Sequence, residues 1–330
     1  MTVSLDTPLT RDAGITVPLI GGAMYPCSNP ELVGAVSAAG GIGIVQPVSL
    51  TYVHGHDYHE GLRLIHRLAD GRPIGMNALI EKSSRRYHER MIRWVEESLE
   101  EGVRFFITSL GNPRWVVDRV QGIGGRVYHD VTERKWALKA VEGGVHGLIC
   151  VNSRAGGHAG AKTPRQLLDE CGDLGLPLVC AGGIGDALDF VAALRMGYAG
   201  MQMGTRFIAT VECNSRADYK QAIVDAGEAD VVLTERVTGV SLAVINTPYI
   251  QGIGTRLGPL ARLLFRNRRT KTWMRTFYAL RGVWKMKRDS VTGAGTGEYW
   301  QAGKSVAGIH RIEPAGDIVR RFAAAASEAP

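Results

Sequence analysis

The sequence predicts an α/β protein whose eight parallel strands close into a barrel. Short β-branched runs alternate eight times with longer amphipathic stretches, which is the pattern of repeated strand–helix units. Glycine is abundant, at 42 of 330 residues, and suits a chain with many tight turns. The turn after the first strand, Gly21-Gly22-Ala23-Met24, lacks the G-x-G-x-x-G fingerprint of an open doubly wound sheet. These three observations together favour a barrel.

Each predicted strand is followed by a predicted helix, which is the arrangement of a (β/α)8 TIM barrel. The strands are Val17–Ile20, Ile42–Val45, Ile74–Ala78, Phe105–Thr108, Arg126–His129, Gly147–Val151, Pro177–Ala181 and Gly200–Met203. The helices are Glu31–Ala39, Tyr58–Leu68, Arg86–Glu100, Arg114–Val120, Glu133–Glu142, Pro164–Cys171, Asp186–Arg195 and Asn214–Ala226. We expect Asn29 to cap the first helix through its side chain, and Pro30 to occupy its first turn.

The regular alternation stops after Ala226. Asp230–Asn246 is predicted to be one or two strands or an extended insertion, and Leu257–Lys287 one or two basic amphipathic helices. A terminal helix is predicted over Ala315–Ala325. The predicted organisation is therefore a barrel at 1–228, an insertion or lid at 229–312, and a C-terminal helix at 313–330 that packs on the barrel.

Composition excludes several classes of protein. Hydrophobic residues make up 45% and charged residues 22%, which rules out collagen-like, disordered and coiled-coil chains. No run reaches about 18 apolar residues, so no transmembrane segment is expected, and the N-terminus lacks the pattern of a secretory signal. The five cysteines include no C-x-x-C pair, which gives little support for a disulfide framework or a zinc knuckle. We expect a cytoplasmic protein, and a homo-oligomer is compatible with the sequence.

The net charge of +7 comes from one segment of the chain. Residues 261–290 contain ten Lys or Arg and one Asp, so this segment carries +9 and the other 300 residues carry −2. Such an element attracts anionic partners such as coenzyme A or a carrier protein. It is equally compatible with a solvated amphipathic lid whose Trp273, Phe277 and Trp284 pack on the barrel mouth. One basic element without a recognised module is weak evidence for nucleic-acid binding.

Two glycine-containing turns form a candidate anion site. They are Ala181-Gly182-Gly183-Ile184-Gly185 after strand seven and Met203-Gly204-Thr205-Arg206 after strand eight. In TIM barrels a phosphate often sits on these two loops. Glycine lets backbone amides approach the anion, and the following helix start favours negative charge. Plain tight turns are the alternative interpretation.

A histidine in the loop after strand six is the candidate proton-transfer residue. His158 lies in Asn152-Ser153-Arg154-Ala155-Gly156-Gly157-His158-Ala159-Gly160, at a strand end that faces the mouth. Its near-neutral pKa suits acid–base chemistry. The alternative is a loop histidine that bonds a carbonyl. His129 and Asp130 end strand five, and we expect both to face the same mouth and to be able to contact a ligand.

No metal site is predicted. His54, His56 and His59 cluster with Asp57, but their spacing matches no closed tetrahedral site.

Six motifs in order resemble those of the nitronate monooxygenase family (formerly 2-nitropropane dioxygenase), whose members are FMN-dependent TIM barrels. They are Pro18-Leu19-Ile20-Gly21-Gly22-Ala23-Met24, Ala38-Ala39-Gly40-Gly41-Ile42-Gly43, Gly75-Met76-Asn77, Ala155-Gly156-Gly157-His158-Ala159-Gly160, Ala181-Gly182-Gly183-Ile184 and Met203-Gly204-Thr205-Arg206-Phe207. Tyr299-Trp300-Gln301-Ala302-Gly303 is similar to the family's C-terminal stretch. Arg154 departs from the pattern, since many members have an acidic residue just before these glycines.

The resemblance implies non-covalently bound FMN and the residues that hold it. The phosphate would lie on Gly182, Gly183, Gly204 and Thr205, and the isoalloxazine ring near Ala23, Met24 and Asn77. Asp130, Gly157, Ala181 and Met203 complete the predicted cofactor contacts. His158 matches the family histidine that faces the flavin and handles a proton.

Three functions compete at this stage. The resemblance favours oxidation of alkyl nitronates with O2 to a carbonyl compound and nitrite. The second function is an NAD(P)H-dependent flavin reductase that acts on a quinone or on an enoyl or acyl thioester of CoA or a carrier protein. The third is a phosphosugar barrel without redox chemistry. In each case the expected partner is a small-molecule substrate.

Overall fold

The computed structural model describes residues 3–81, 85–236, 240–258 and 299–329. Its centre is a closed barrel of eight parallel strands in chain order, in which β8 pairs back onto β1. The strands are β1 (Leu19–Gly21), β2 (Ile42–Val45), β3 (Gly75–Ile80), β4 (Phe105–Leu110), β5 (Arg126–Val131), β6 (Gly147–Val151), β7 (Leu178–Ala181) and β8 (Gly200–Met203). The predicted (β/α)8 TIM barrel is confirmed.

One helix precedes β1, and the others follow the strands in chain order. They are α1 (Pro8–Ala13), α2 (Pro30–Ala38), α3 (Tyr58–Leu68), α4 (Arg85–Glu100), α5 (Arg114–Val120), α6 (Arg134–Glu142), α7 (Pro164–Cys171), α8 (Ala187–Met196), α9 (Thr205–Ile208), α10 (Ala217–Asp225), α11 (Pro248–Ile253) and α12 (Ala315–Glu328). The sequence pattern does not reveal α1, α9 and α11, because four to six residues are too few to show a helical period. None of the described helices is both long enough and apolar enough to cross a membrane.

Alternation along the strands separates two apolar layers. The lumen is filled by Ile20, Ile42, Ile44, Phe105, Ile107, Tyr128, Ile149, Val179 and Ala181. The opposite strand faces, which include Phe106, Leu148 and Met201, pack beneath the helices. Successive strand residues point to opposite faces, so a residue two positions beyond a lumen residue on the same strand also faces the lumen.

Helix α1 closes the amino-terminal end of the barrel. Leu9 is fully buried among the lumen side chains, and a Cβ atom added at Gly200 would lie 2.3 Å from Leu9 Cδ2. Asp12 accepts hydrogen bonds from Arg126 Nε at 3.0 Å and from the Tyr128 hydroxyl at 2.9 Å. The polar groups at this end are therefore paired with one another.

The start of α2 differs from the prediction in one respect. Pro30 occupies the first turn as expected, but Asn29 makes no side-chain capping bond. Its Nδ2 donates instead to Glu31 Oε2 at 2.6 Å and to Glu212 O at 2.8 Å. Asn29 therefore ties α2 to the chain after β8, and this long-range partner could not be read from the local sequence.

The stretch 230–246 contains two strands, β9 (Val231–Thr234) and β10 (Leu242–Ile245), which pair antiparallel. Ala243 N donates to Gly157 O at 2.8 Å, and Ile245 N donates to Trp300 O at 2.9 Å. The hairpin thus joins the loop after β6 to the segment 299–303.

Helix α12 packs against α2 and α8, with the rings of Phe190 and Phe322 5.4 Å apart. Buried Arg206 lies 3.4 Å from Glu313 and donates to Arg311 O, which anchors the chain just before α12. The predicted basic helices over Leu257–Lys287 lie, apart from residues 257 and 258, outside the described residues.

Candidate active site at the carboxyl end of the barrel

The loops after β6 and β7 touch through glycine. A Cβ atom at Gly182 would lie 2.5 Å from Ala155 N, and one at Gly183 would lie 2.7 Å from Arg154 Nε. Both glycines also have positive φ angles, +113° and +86°. Close approach and left-handed backbone together require residues without a side chain. The predicted turn after β7 therefore lies directly beside the loop that carries His158.

The loop after β8 joins them through a threonine hydroxyl. Thr205 Oγ1 accepts a hydrogen bond from Gly303 N at 2.9 Å. A Cβ atom at Gly156 would lie 2.9 Å from Gly303 N and 3.2 Å from Thr205 Oγ1. The loops after β6 and β8 and the returning segment 299–303 therefore meet at one point, and Gly303 is a site residue that the sequence prediction did not include.

The loop after β1 completes the ring around the mouth. Gly22 N donates to Met203 O at 2.9 Å, and a Cβ atom at Gly204 would lie 3.3 Å from Met24 Sδ. Ala23, beside Met24, packs on the lumen cluster. The Met203 side chain belongs to the outer layer, so it is the Met203 backbone that borders the mouth.

The start of α8 is less available to an anion than the sequence suggests. Gly185 N donates to Asp189 Oδ2, and Asp189 N donates to Asp186 Oδ1, both at 2.9 Å. These amides are engaged, and the two carboxylates disfavour a further negative charge there. Any anion contact therefore falls to the Gly182-Gly183 turn and to the Gly204-Thr205 loop.

Three polar side chains face the lumen near the mouth. Asn77 is in register with Ile107, Asp130 lies two residues beyond Tyr128, and Gln202 is in register with Ala181. Asp130 Oδ1 and Gln202 Oε1 are buried, and neither has a hydrogen-bond partner among the described residues. An unmet buried polar atom costs about 1–3 kcal/mol, so these two acceptors point to a bound group that carries donors.

Gln202 is a candidate that the sequence prediction missed. The sequence signal for it is weak: Gly200-Met201-Gln202-Met203 is a short alternating run, and Gln202 lies two residues before the predicted contact Gly204.

His129 does not face the mouth, which corrects the sequence prediction. It alternates with the lumen residue Tyr128, so it points to the outer layer, where its Nδ1 lies 2.8 Å from Thr108 Oγ1. Burial lowers the pKa of the His129 imidazole to about 4. Only Asp130 of this pair can contact a ligand in the lumen.

His158 remains exposed in the mouth of the barrel. Its ring makes no hydrogen bond to any described residue, so the alternative of a loop histidine bonded to a carbonyl finds no support within those ranges. The neighbouring Gly157, at φ +70°, is held by the bond from Ala243 N to its carbonyl. The walls of the mouth desolvate the imidazole and lower its pKa below the ordinary value. The ring is therefore neutral at neutral pH and able to accept a proton.

An ion cluster ties the rim of the mouth together. Arg154 makes two 2.9 Å bonds to the carboxylate of Glu228, and Lys304 Nζ lies 3.2 Å from Glu228 Oε1. Lys304 N also donates to Arg154 O at 2.9 Å. The unusual arginine in the loop after β6 thus holds the segment 299–308 over the turn after β7.

The histidines after β2 are engaged elsewhere. His59 Nδ1 lies 2.9 Å from Glu101 Oε1, and His54 Nδ1 lies 3.1 Å from Asn214 Nδ2. Within the ranges that the structure covers, no three His, Cys, Asp or Glu side chains are grouped so as to hold a metal ion.

Comparison with known proteins identifies a family for this arrangement. The model of the family described as nitronate monooxygenase matches residues 6–324. A Mycobacterium tuberculosis protein named (3aS,4S,5R,7aS)-5-hydroxy-7a-methyl-1-oxo-octahydro-1H-indene-4-carboxyl-CoA dehydrogenase is 29% identical over 82% of this chain and 76% of its own length. A probable nitronate monooxygenase of Staphylococcus saprophyticus is 27% identical over 75% of this chain and 81% of its own.

Among solved structures, FabK from Thermotoga maritima superposes with a TM-score of 0.78 at 25% sequence identity. The match covers 98% of this chain and 97% of that protein.

Proposed function

The chain belongs to the nitronate monooxygenase family and is an oxidoreductase of the flavin-dependent type, and we propose that it uses FMN to oxidise alkyl nitronates with O2 to a carbonyl compound and nitrite. The proposal assigns the phosphate to Gly182, Gly183, Gly204 and Thr205, and the flavin ring to the neighbourhood of Ala23, Met24 and Asn77. Gly157, Ala181 and the Met203 backbone would border the cofactor.

The residues present fit this cofactor. The Gly182-Gly183 turn packs directly against Ala155 and Arg154, and Gly204 and the Thr205 hydroxyl lie on the neighbouring loop. In the lumen, Asp130 Oδ1 and Gln202 Oε1 are buried acceptors without partners among the described residues. The hydroxyl and imide groups of a flavin would supply donors to such acceptors.

The observation that carries the proposal is His158. A neutral imidazole, exposed in the mouth and without a hydrogen bond to any described residue, is positioned to take the acidic C–H proton from a bound nitroalkane and so form the nitronate that is then oxidised. Bound FMN would supply the electron transfer. The protein's own contribution is to orient the substrate against the glycine-lined wall and to hold that proton at His158.

A second candidate is redox chemistry on an acyl-CoA thioester, with NAD(P)H as a possible co-substrate. It is favoured by the M. tuberculosis relative, whose name specifies a carboxyl-CoA dehydrogenase, and by the segment 261–290, whose charge of +9 would attract an anionic coenzyme. A deprotonation at the carbon beside the thioester would use the same neutral imidazole.

Anaerobic mixing separates these functions. The purified protein is mixed in turn with a nitronate, an acyl-CoA and NADH, and the flavin absorbance is followed. Bleaching by the nitronate alone supports the first proposal, bleaching by acyl-CoA or NADH supports the second, and a protein that binds no added FMN contradicts both.

A further inference from the structure

We propose that Asp130 is a proton-binding group of this site, whose neutral carboxyl donates a hydrogen bond to the bound cofactor and whose ionised form opposes negative charge there. The effect of Asp130 on the cofactor rests on the proposed function, because it requires a bound flavin. Proton binding by Asp130 does not, because it concerns the protein alone.

The position of Asp130 is the first argument. It lies near the carboxyl end of β5, faces the lumen with Tyr128, and is in register with Ile149 on β6. Its Oδ1 is buried and has no partner among the described residues. Asp12 of α1, at the amino-terminal end of the barrel, instead binds both Arg126 and Tyr128 of β5. A carboxyl group without a donor retains its proton more readily than a paired one.

The charges around Asp130 support this conclusion. On its own strand, the His129 ring points to the outer layer and the Tyr128 hydroxyl is bound to Asp12. On the neighbouring strands, β6 presents Ile149 in register with Asp130, and β4 continues from Ile107, beside Tyr128, to Ser109; none of these is ionisable. His158 also lies at the mouth, and its pKa, like that of Asp130, is shifted by desolvation alone. The charged groups of the rim, Arg154, Glu228 and Lys304, are paired with one another.

Burial therefore acts on Asp130 without a compensating cation. Desolvation raises the pKa of its carboxyl from 3.8 to about 7. Below that pH the carboxyl group of Asp130 is neutral and can donate a hydrogen bond. Above it the group is an anion that faces the lumen. A buried acid kept neutral so that it can donate a hydrogen bond is a known catalytic device.

The consequence for a bound flavin is an altered affinity for electrons. Reduction adds negative charge to the ring, which a neutral Asp130 stabilises and an ionised Asp130 destabilises. The midpoint potential of the bound flavin should therefore fall more steeply with pH above 7 in the native protein than in Asp130→Asn, which donates at every pH.

The first experiment uses the protein without added flavin. Infrared spectra are recorded well below and well above pH 7 for the native chain, for Asp130→Asn, and for the control Asp173→Asn, which removes a surface carboxyl paired with Arg134. We expect a protonated-carboxyl band at the lower pH that disappears at the higher pH, is absent from Asp130→Asn and is retained in Asp173→Asn. A native spectrum without that band below pH 7 overturns the proposal.

The second experiment measures the midpoint potential of the FMN-loaded protein over the same pH range. Native and Asp130→Asn potentials should agree below pH 7 and diverge above it, with the native value the more negative. Parallel lines would overturn the role toward the cofactor. If Asp130→Asn does not fold, Asp130→Glu should shift the infrared titration rather than abolish it. A protein that shows the band but takes up no FMN would refute the proposed function while leaving proton binding by Asp130 established.

Discussion

Polar groups at the amino-terminal end of the barrel are paired with one another, whereas at the carboxyl end some buried polar atoms have no partner among the described residues. At the amino-terminal end, Asp12 binds Arg126 and Tyr128, and Leu9 of α1 fills the lumen. At the carboxyl end, Asp130 and Gln202 each leave a buried oxygen unpaired among the described residues. The same strand, β5, contributes to both ends, so the contrast does not reflect different elements.

This contrast separates stability from function. Paired polar groups and filled apolar space stabilise a fold, whereas unpaired buried acceptors cost stability and are retained where a ligand meets them. In TIM barrels the chemistry lies at the carboxyl ends of the strands. We therefore expect substitutions at the two ends to have separable effects on activity and on folding.

The largest expected effect is on turnover. His158→Ala should lower kcat about 10²- to 10⁴-fold, because it removes the proton acceptor from the mouth. Bound FMN and the free energy of unfolding should stay unchanged, since the ring makes no hydrogen bond to any described residue. Steady-state kinetics and flavin absorbance test this, with His56→Ala as the control. Unchanged kinetics with nitronate, acyl-CoA and NADH would remove the role of His158.

The pH dependence of turnover sharpens the same assignment. Because desolvation lowers the pKa of His158, the base form persists below the ordinary value of 6.5. The acidic limb of the kcat/KM profile, which reports the enzyme without substrate, should therefore lie below that of an exposed histidine and should be missing from the residual activity of His158→Ala.

A substitution at the amino-terminal end of the barrel should affect folding stability and leave cofactor binding unchanged. Leu9→Ala removes a fully buried side chain that closes the lumen, and should lower the free energy of unfolding by about 2–5 kcal/mol. Denaturant titration measures this, with exposed Leu188→Ala as the control. The folded fraction should still bind FMN with native stoichiometry. Loss of FMN from folded Leu9→Ala would show that the two ends are not independent.

An intermediate effect is expected at the proposed phosphate loop. Gly204→Asp places a carboxylate beside the phosphate and crowds Met24 Sδ, so FMN affinity should fall at least about tenfold, or about 1.4 kcal/mol. Flavin retained through gel filtration provides the measurement. Gly252→Asp is the matched control, because a Cβ atom there meets nothing within 4 Å. Equal retention in both variants would contradict the placement.

The smallest effect is expected at the rim. Glu228→Gln removes the shared partner of Arg154 and Lys304, but all three side chains are more than one-third exposed, so solvent screens the interaction. The free energy of unfolding should fall by about 1 kcal/mol or less, and the part of its salt dependence that comes from this cluster should disappear. Arg154 lowers the pKa of Glu228, so its contribution is present above the unfolded value of 4.5 and disappears as the pH falls below it. A fall in the free energy of unfolding far greater than about 1 kcal/mol would show that the cluster is important for stability.

Sequence patterning predicted the barrel and the loops that meet at its carboxyl end. Strand and helix periods are local, and the turns after β7 and β8 follow from their order along the chain. The error at His129 arose because the end of β5 could not be located from the pattern, and one residue of shift reverses the face of every side chain. Gln202 was missed because an alternating run of four residues is too short to stand out.

The order of strands, the glycine turns and the motif histidine were decided by the sequence itself, since each depends on neighbours along the chain. Only the tertiary structure decided three hydrogen bonds of the site: Gly303 N to Thr205 Oγ1, Ala243 N of β10 to Gly157 O, and Gly185 N, before α8, to Asp189 Oδ2. The tertiary structure also decided the difference between Asp12 and Asp130, two aspartates of one chemical kind. Closure of the barrel brings donors to Asp12 from residues more than a hundred positions away, whereas Asp130 Oδ1 is left without a partner among the described residues.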